Sequence, residues 1–155
     1  MAVAALVIED GGDEDETIAA LLHDAVEDQG GAPTLALIRA RFGPRVAAIV
    51  EACSDTDETP KPPWRQRKAA YLAHLRDPAL PEGALRVSLA DKLHNARAIL
   101  ADLRAGHDVF ARFNAPREDQ GWYYDALATT FADRAPGPMA AELRRVLDEV
   151  FGPPA

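Results

Sequence analysis

Apolar residues recur three and four positions apart along almost the whole chain, the spacing of helices with one buried face. Runs of β-branched residues are rare, and alanine, leucine and arginine dominate, which leans local preference further toward helix. The pattern predicts a short apolar helix over residues 2–9, stopped by Asp10-Gly11-Gly12. Asp13 with Glu16 three positions on has the form of a capping box, so the acidic run 13–16 reads as a helix start rather than a calcium loop. The helix it opens is expected to run to about Asp28 and to stop at Gly30-Gly31. Pro33 or Thr34 opens a third helix ending near Phe42-Gly43, and Pro44 opens a fourth reaching Cys53. Residues 54–63 are polar and turn-forming, and a loop is expected there. A basic helix from Trp64 to about Arg76 follows, then the longest helix, 84–105, and two closing helices near 117–132 and 139–150. The fold class this predicts is all-α, a single-domain helical bundle over 1–155, since 155 residues without repeats or linkers suit one core.

Composition narrows the function classes. A formal net charge of −8 argues against non-specific binding to nucleic acid or to anionic membranes, which requires clustered cations. It leaves room for a phosphorylated small molecule held by a metal ion and a few local cations. Cys53 is the single cysteine, so an intrachain disulfide is impossible, and within the apolar run 46–53 it reads as a small buried core residue. The N-terminal apolar stretch is too short for a membrane span and lacks the basic flank of a signal peptide. A cytoplasmic location is the default expectation.

Two segments carry chemistry. In Leu21–Asp28 a histidine and three carboxylates, His23, Asp24, Glu27 and Asp28, fall within about two helical turns directly after an apolar run. Unpaired buried carboxylates are costly, and a divalent cation would remove the cost; imidazole with carboxylate suits manganese, iron or zinc better than calcium or magnesium. In Val87–Arg97, Asp91 sits in an apolar stripe and Asn95 lies one turn further along the same face. Taken singly each segment has a plainer reading. His23 fits a satisfied core histidine, and Asp91 fits a surface pair with Lys92 or Arg97.

Together, HDAVED at 23–28 and SLADKLHN at 88–95 resemble the HD superfamily of phosphohydrolases, and within it the hydrolase domains of RelA/SpoT proteins and small stand-alone SpoT homologues. The resemblance covers residue 2 to about residue 105 and, more loosely, the Trp122-Tyr123-Tyr124 segment. It implies an HD-type helical bundle in which His23, Asp24 and Asp91 ligate one metal, typically Mn2+, other divalent ions being alternatives. It implies that Glu27 and Asp28 orient or deprotonate the attacking water and that Asn95 contacts a nucleotide. The implied reaction is phosphoester hydrolysis, in the SpoT case removal of the 3′-pyrophosphate from guanosine tetra- or pentaphosphate. A deoxynucleotide or NADPH is the alternative substrate, and a non-catalytic nucleotide-binding remnant the alternative to an enzyme.

The sequence departs from the family pattern at its start. A fourth ligand, a histidine near the beginning of the preceding helix, would fall one or two residues before Met1, together with the family's first helix. The chain as written is therefore expected to hold metal more weakly, and Leu6, Val7 and Ile8 are expected to be partly uncovered, which would favour a homo-oligomer. His94 is expected to line the cavity, with His74 and His107 at the surface. The basic segment Trp64–Lys68 with Tyr71 offers either a phosphate grip through Lys68 or an exposed helix face. Arg117 and Tyr123, within the aromatic cluster, offer either a guanidinium and a stacking surface for a base or core packing.

Overall fold

The computed structural model describes residues 1–54 and 60–152; residues 55–59, within the expected loop, lie outside the described residues. Among the described residues the regular structure is helical throughout. The elements are α1 (Ala2–Glu9), α2 (Glu14–Leu22), α3 (Ala25–Asp28), α4 (Ala32–Phe42), α5 (Pro44–Cys53), α6 (Trp64–Arg76), α7 (Ala84–Arg104), a 3-10 turn (Phe110–Arg112), α8 (Arg117–Arg134) and α9 (Pro138–Phe151).

The capping box forms as the sequence predicts. Asp13 Oδ1 accepts from the Glu16 amide at 2.9 Å, and Glu16 Oε2 accepts from the Asp13 amide at 2.8 Å. Three helices, α4, α5 and α9, carry proline in the first turn, where the absent N–H is no loss. The helix expected to run to Asp28 instead breaks at His23-Asp24. The physical cause is local: the His23 ring Nδ1 lies 2.7 Å from the Ala20 carbonyl, the acceptor a continuing helix would offer to the Asp24 amide. The chain restarts as the single turn α3, whose first bond runs from the Asp28 amide to the Asp24 carbonyl at 3.0 Å.

α7 is the axis of the bundle and packs against α1, α2, α5 and α9, while α8 bridges α6 and α9. One apolar cluster joins these elements, with Val7, Ile49, Leu75, Leu93, Leu127, Phe131 and Leu143 fully buried. The expectation that Leu6 and Val7 are uncovered is overturned: they are 8% and 0% exposed, because α1 lies against α2 and α7, and only Ile8 of the three faces out. Asp91, on the flank of this axis, is held facing the break between α2 and α3. No helix among the described residues is long and apolar enough to cross a membrane.

Candidate functional site

His23 is the junction of the site. Its Nδ1 can bond the Ala20 carbonyl only as a donor, because a carbonyl only accepts. That fixes the proton on Nδ1 and leaves Nε2 facing two carboxylates, Asp24 Oδ2 at 3.1 Å and Asp91 Oδ1 at 3.4 Å. A neutral imidazole so oriented would point a lone pair at two anions. The arrangement is therefore satisfied by a proton on Nε2 or by a cation among the three groups. In the metal-free protein the hydrogen bond to Asp91 raises the pKa of His23 above its ordinary value; burial opposes this, and the Ala20 carbonyl and the two carboxylate charges add to it.

Asp91 has three partners. Asn95 Nδ2 donates to Oδ1 at 3.2 Å, Lys92 Nζ pairs with Oδ2 at 2.7 Å, and His23 lies beside Oδ1. Burial would push the carboxyl up, but the His23 hydrogen bond and the Lys92 ammonium outweigh it and hold Asp91 well below the usual carboxylate range. Lys92 is equally enclosed, with 17% of its side chain exposed and its ammonium 5.3 Å from the Tyr71 ring centre. Burial alone would lower its pKa; the Tyr71 and Asp91 oxygens reverse that and hold it well above normal. The pairing of Asp91 with Lys92 that the sequence offered as a plain surface contact is thus a largely buried feature of the site.

A cavity of about 190 Å³ opens at this junction. Its acidic members are Asp24, Glu27 and Asp91, and its cationic and aromatic members are Lys68, Tyr71, Lys92 and Tyr123; Cys53 and Asn95 complete the lining. Lys68 Nζ stands 5.3 Å from the Tyr123 ring centre, and the Tyr123 hydroxyl is buried without a hydrogen-bond partner among the described residues. Tyr71 donates to Ser88 Oγ at 3.1 Å, and Cys53 Sγ lies 3.4 Å from the same oxygen. Burial pushes the Cys53 thiol and the Tyr71 hydroxyl each up to about 12, so both are neutral at the cavity wall. Cys53, expected as a core residue, packs against the core and also lines the cavity.

Several expected residues lie elsewhere. Asp28 is exposed and does not line the cavity, because the break at His23-Asp24 shortens α3 to a single turn. Arg117 is occupied at the end of α9, where Nη2 donates to the Val150 carbonyl at 2.9 Å and the guanidinium lies 5.1 Å from the Phe110 ring centre. His94 is exposed on α7 and does not line the cavity, correcting the expectation that it would; it lies on the outer flank of α7. His74 and His107 are exposed, as expected. Lys92 entered the sequence reading only as a surface partner of Asp91; its place beside Asp91 at the edge of an apolar stripe was the signal of a buried role.

A second cavity, of about 490 Å³, shares Asn95 with the first and lies between α7, α8 and the 3-10 turn. It is lined largely by apolar and aromatic side chains.

Helices around a long axial helix, with a histidine-aspartate pair facing a distant aspartate, define an all-helical HD-type protein. The chain belongs to the HD domain family, whose model matches residues 1–121. The family is one of metal-dependent phosphohydrolases. The fold is also similar to that in the 1.85 Å crystal structure of lmo0812 from Listeria monocytogenes EGD-e, at 29% identity and a TM-score of 0.79 over 97% of this chain and 91% of that one. No curated protein matches the chain.

The donor set fits a divalent ion in its chemistry: an imidazole nitrogen fixed in its tautomer and two carboxylates around it. Metal–ligand bonds of about 2.1 Å place neighbouring ligand atoms roughly 3.0–3.4 Å apart, the range of the two contacts of Nε2. Asp24 is the loose member, 63% exposed, and among the described residues no three His, Cys, Asp or Glu side chains are gathered into a metal-holding set.

Proposed function

We propose that this chain is a metal-dependent phosphohydrolase acting on a phosphorylated nucleotide, with His23, Asp24 and Asp91 holding one divalent ion, Mn2+ in first place. The observation that carries the reading is the fixed tautomer of His23, whose Nε2 faces Asp24 and Asp91 together. When bound, such an ion supplies Lewis-acid polarisation of a phosphoryl oxygen and a more acidic water. The remaining work falls to the chain. Glu27, at the cavity, accepts the proton of the attacking water. Lys68 and Lys92 offset charge on the phosphoryl group, and the Tyr123 hydroxyl has its donor unspent among the described residues. Asn95 is tied to Asp91 and lies where both cavities meet, so it orients the nucleotide between them.

Within the nucleotides, the HDAVED and SLADKLHN motifs support guanosine tetra- or pentaphosphate, losing its 3′-pyrophosphate. A hydrolysis panel with added Mn2+ across guanosine tetraphosphate, deoxynucleoside triphosphates and NADPH tests this. Turnover of another member only would discard the alarmone and keep the hydrolase.

A second reading, a nucleotide-binding module without turnover, draws support from the exposed Asp24 and the absence of a gathered three-ligand set among the described residues. It requires nucleotide binding that survives chelation and the substitution Asp91→Ala.

A further inference from the structure

The second cavity contains a polar group that the fold does not use. Gln120, on α8, is 8% exposed and lines this cavity, and its side-chain amide has no hydrogen-bond partner among the described residues. Its backbone is satisfied, the amide N–H donating to the Pro116 carbonyl at 3.1 Å, so the side chain alone is left over. The carboxamide is not sealed from solvent, so a ligand bonding both its N–H and its C=O would take the place of water there.

The surroundings state what that ligand is. Ile99, Val109 and Tyr124 present buried apolar and aromatic surface, and Phe113, 36% exposed, stands at the edge. The polar rim is already committed, Arg112 Nη2 donating to Asp102 Oδ2 at 2.5 Å. Asn95 has given its amide N–H to Asp91. Gln120 is therefore, among the described residues, the one side-chain amide lining the cavity with both functions unspent. An apolar slot of about 490 Å³ with a single donor–acceptor pair suits a planar heterocycle that carries a donor and an acceptor side by side.

Resting on the hydrolase reading above, we infer that Gln120 is a specificity-determining residue, reading the base edge of a purine nucleotide. The base occupies the α7–α8 cavity and the phosphoryl groups reach past Asn95 to His23 and Asp91. A guanine edge offers N1–H to the carboxamide oxygen and O6 to the carboxamide N–H; an adenine edge offers N6–H to the oxygen and N1 to the N–H once the carboxamide is turned over. A purine lacking exocyclic groups offers neither pair.

The test is direct binding of guanosine, adenosine and purine riboside to the full chain by calorimetry, without added metal. The nucleosides carry no phosphate, so the result is independent of turnover. Guanosine or adenosine is expected to bind about tenfold or more tightly than purine riboside, the discrimination one paired amide supplies. Gln120→Met, close in shape and still folded by circular dichroism, is expected to bring the three within about twofold. Gln120→Glu, which replaces the donor by an acceptor, is expected to shift preference toward guanosine over adenosine, an outcome a purely structural role for Gln120 would not produce. Equal binding of the three nucleosides by the unsubstituted chain overturns the inference, as does discrimination that persists in Gln120→Met. No nucleoside binding overturns it too, while phosphate release in the panel above would leave the hydrolase standing.

Discussion

Nε2 of His23, at the break between α2 and α3, lies 3.4 Å from Oδ1 of Asp91 in the long helix α7. The contact joins two segments far apart in sequence, and in the metal-free protein it makes stability depend on pH. The pKa of His23 is raised in the folded state, chiefly by the Asp91 hydrogen bond. Its contribution is therefore fully present below the unfolded value of about 6.5 and is lost as pH rises through the higher folded value. The chelated protein is expected to melt at a higher temperature at pH 6 than at pH 9. In His23→Gln that difference should shrink; an unchanged difference would remove His23 as its cause.

Lys92 is the partner that keeps the Asp91 carboxylate charged in a largely enclosed place. Lys92→Met leaves that carboxylate with His23 and Asn95 alone, and breaking such a pair costs about 3 kcal/mol. Thermal or denaturant unfolding of the metal-free protein should show the loss. Saturating Mn2+ should restore much of it, because binding to the native state alone adds stability. A loss that Mn2+ leaves untouched would mean that Asp91 is not a ligand.

Gly83 sets the start of α7 in a left-handed conformation. Its φ is +88°, and a Cβ there would come within 2.6 Å of Glu16 Cγ. Glu16 is buried, caps α2 and pairs with Arg86 at 2.7 Å, so it has little room to move. Gly83→Ala is expected to destabilise the fold by about 2 kcal/mol, through the left-handed backbone and the clash together. Denaturant unfolding checks it, and a change under about 0.5 kcal/mol would contradict the geometry.

Much of this was legible in the sequence, for identifiable reasons. The capping box at Asp13-Glu16, the prolines at 33, 44 and 138 and the glycines at 43 and 83 punctuate the helices where local chemistry requires. The two motifs located His23, Asp24 and Asp91, which the fold brings together. The break at His23 was not legible. Helical spacing carries no sign that a side chain will take the Ala20 carbonyl, so Asp28 was expected to share the cavity with Glu27. The place of Arg117 at the end of α9 was not legible for a related reason: an arginine at a helix start gives no indication that a distant carbonyl, Val150, will hold it. Lys92 was expected only as a surface partner of Asp91 and Gln120 escaped notice, because a single lysine or glutamine in a helix looks like surface until its burial is known.

The central claim is that the His23–Asp24–Asp91 junction holds a divalent ion that this chain uses to hydrolyse a phosphoester. The most direct measurement is metal content by mass spectrometry after loading with Mn2+, paired with product release from guanosine tetraphosphate and the wider nucleotide panel. The same measurement is made on Asp91→Asn. The account predicts about one ion per chain and Mn2+-dependent turnover, with Asp91→Asn losing the ion and at least a hundredfold in rate. A chain that holds no ion and hydrolyses none of these substrates, or one whose turnover is indifferent to Asp91→Asn, would contradict it.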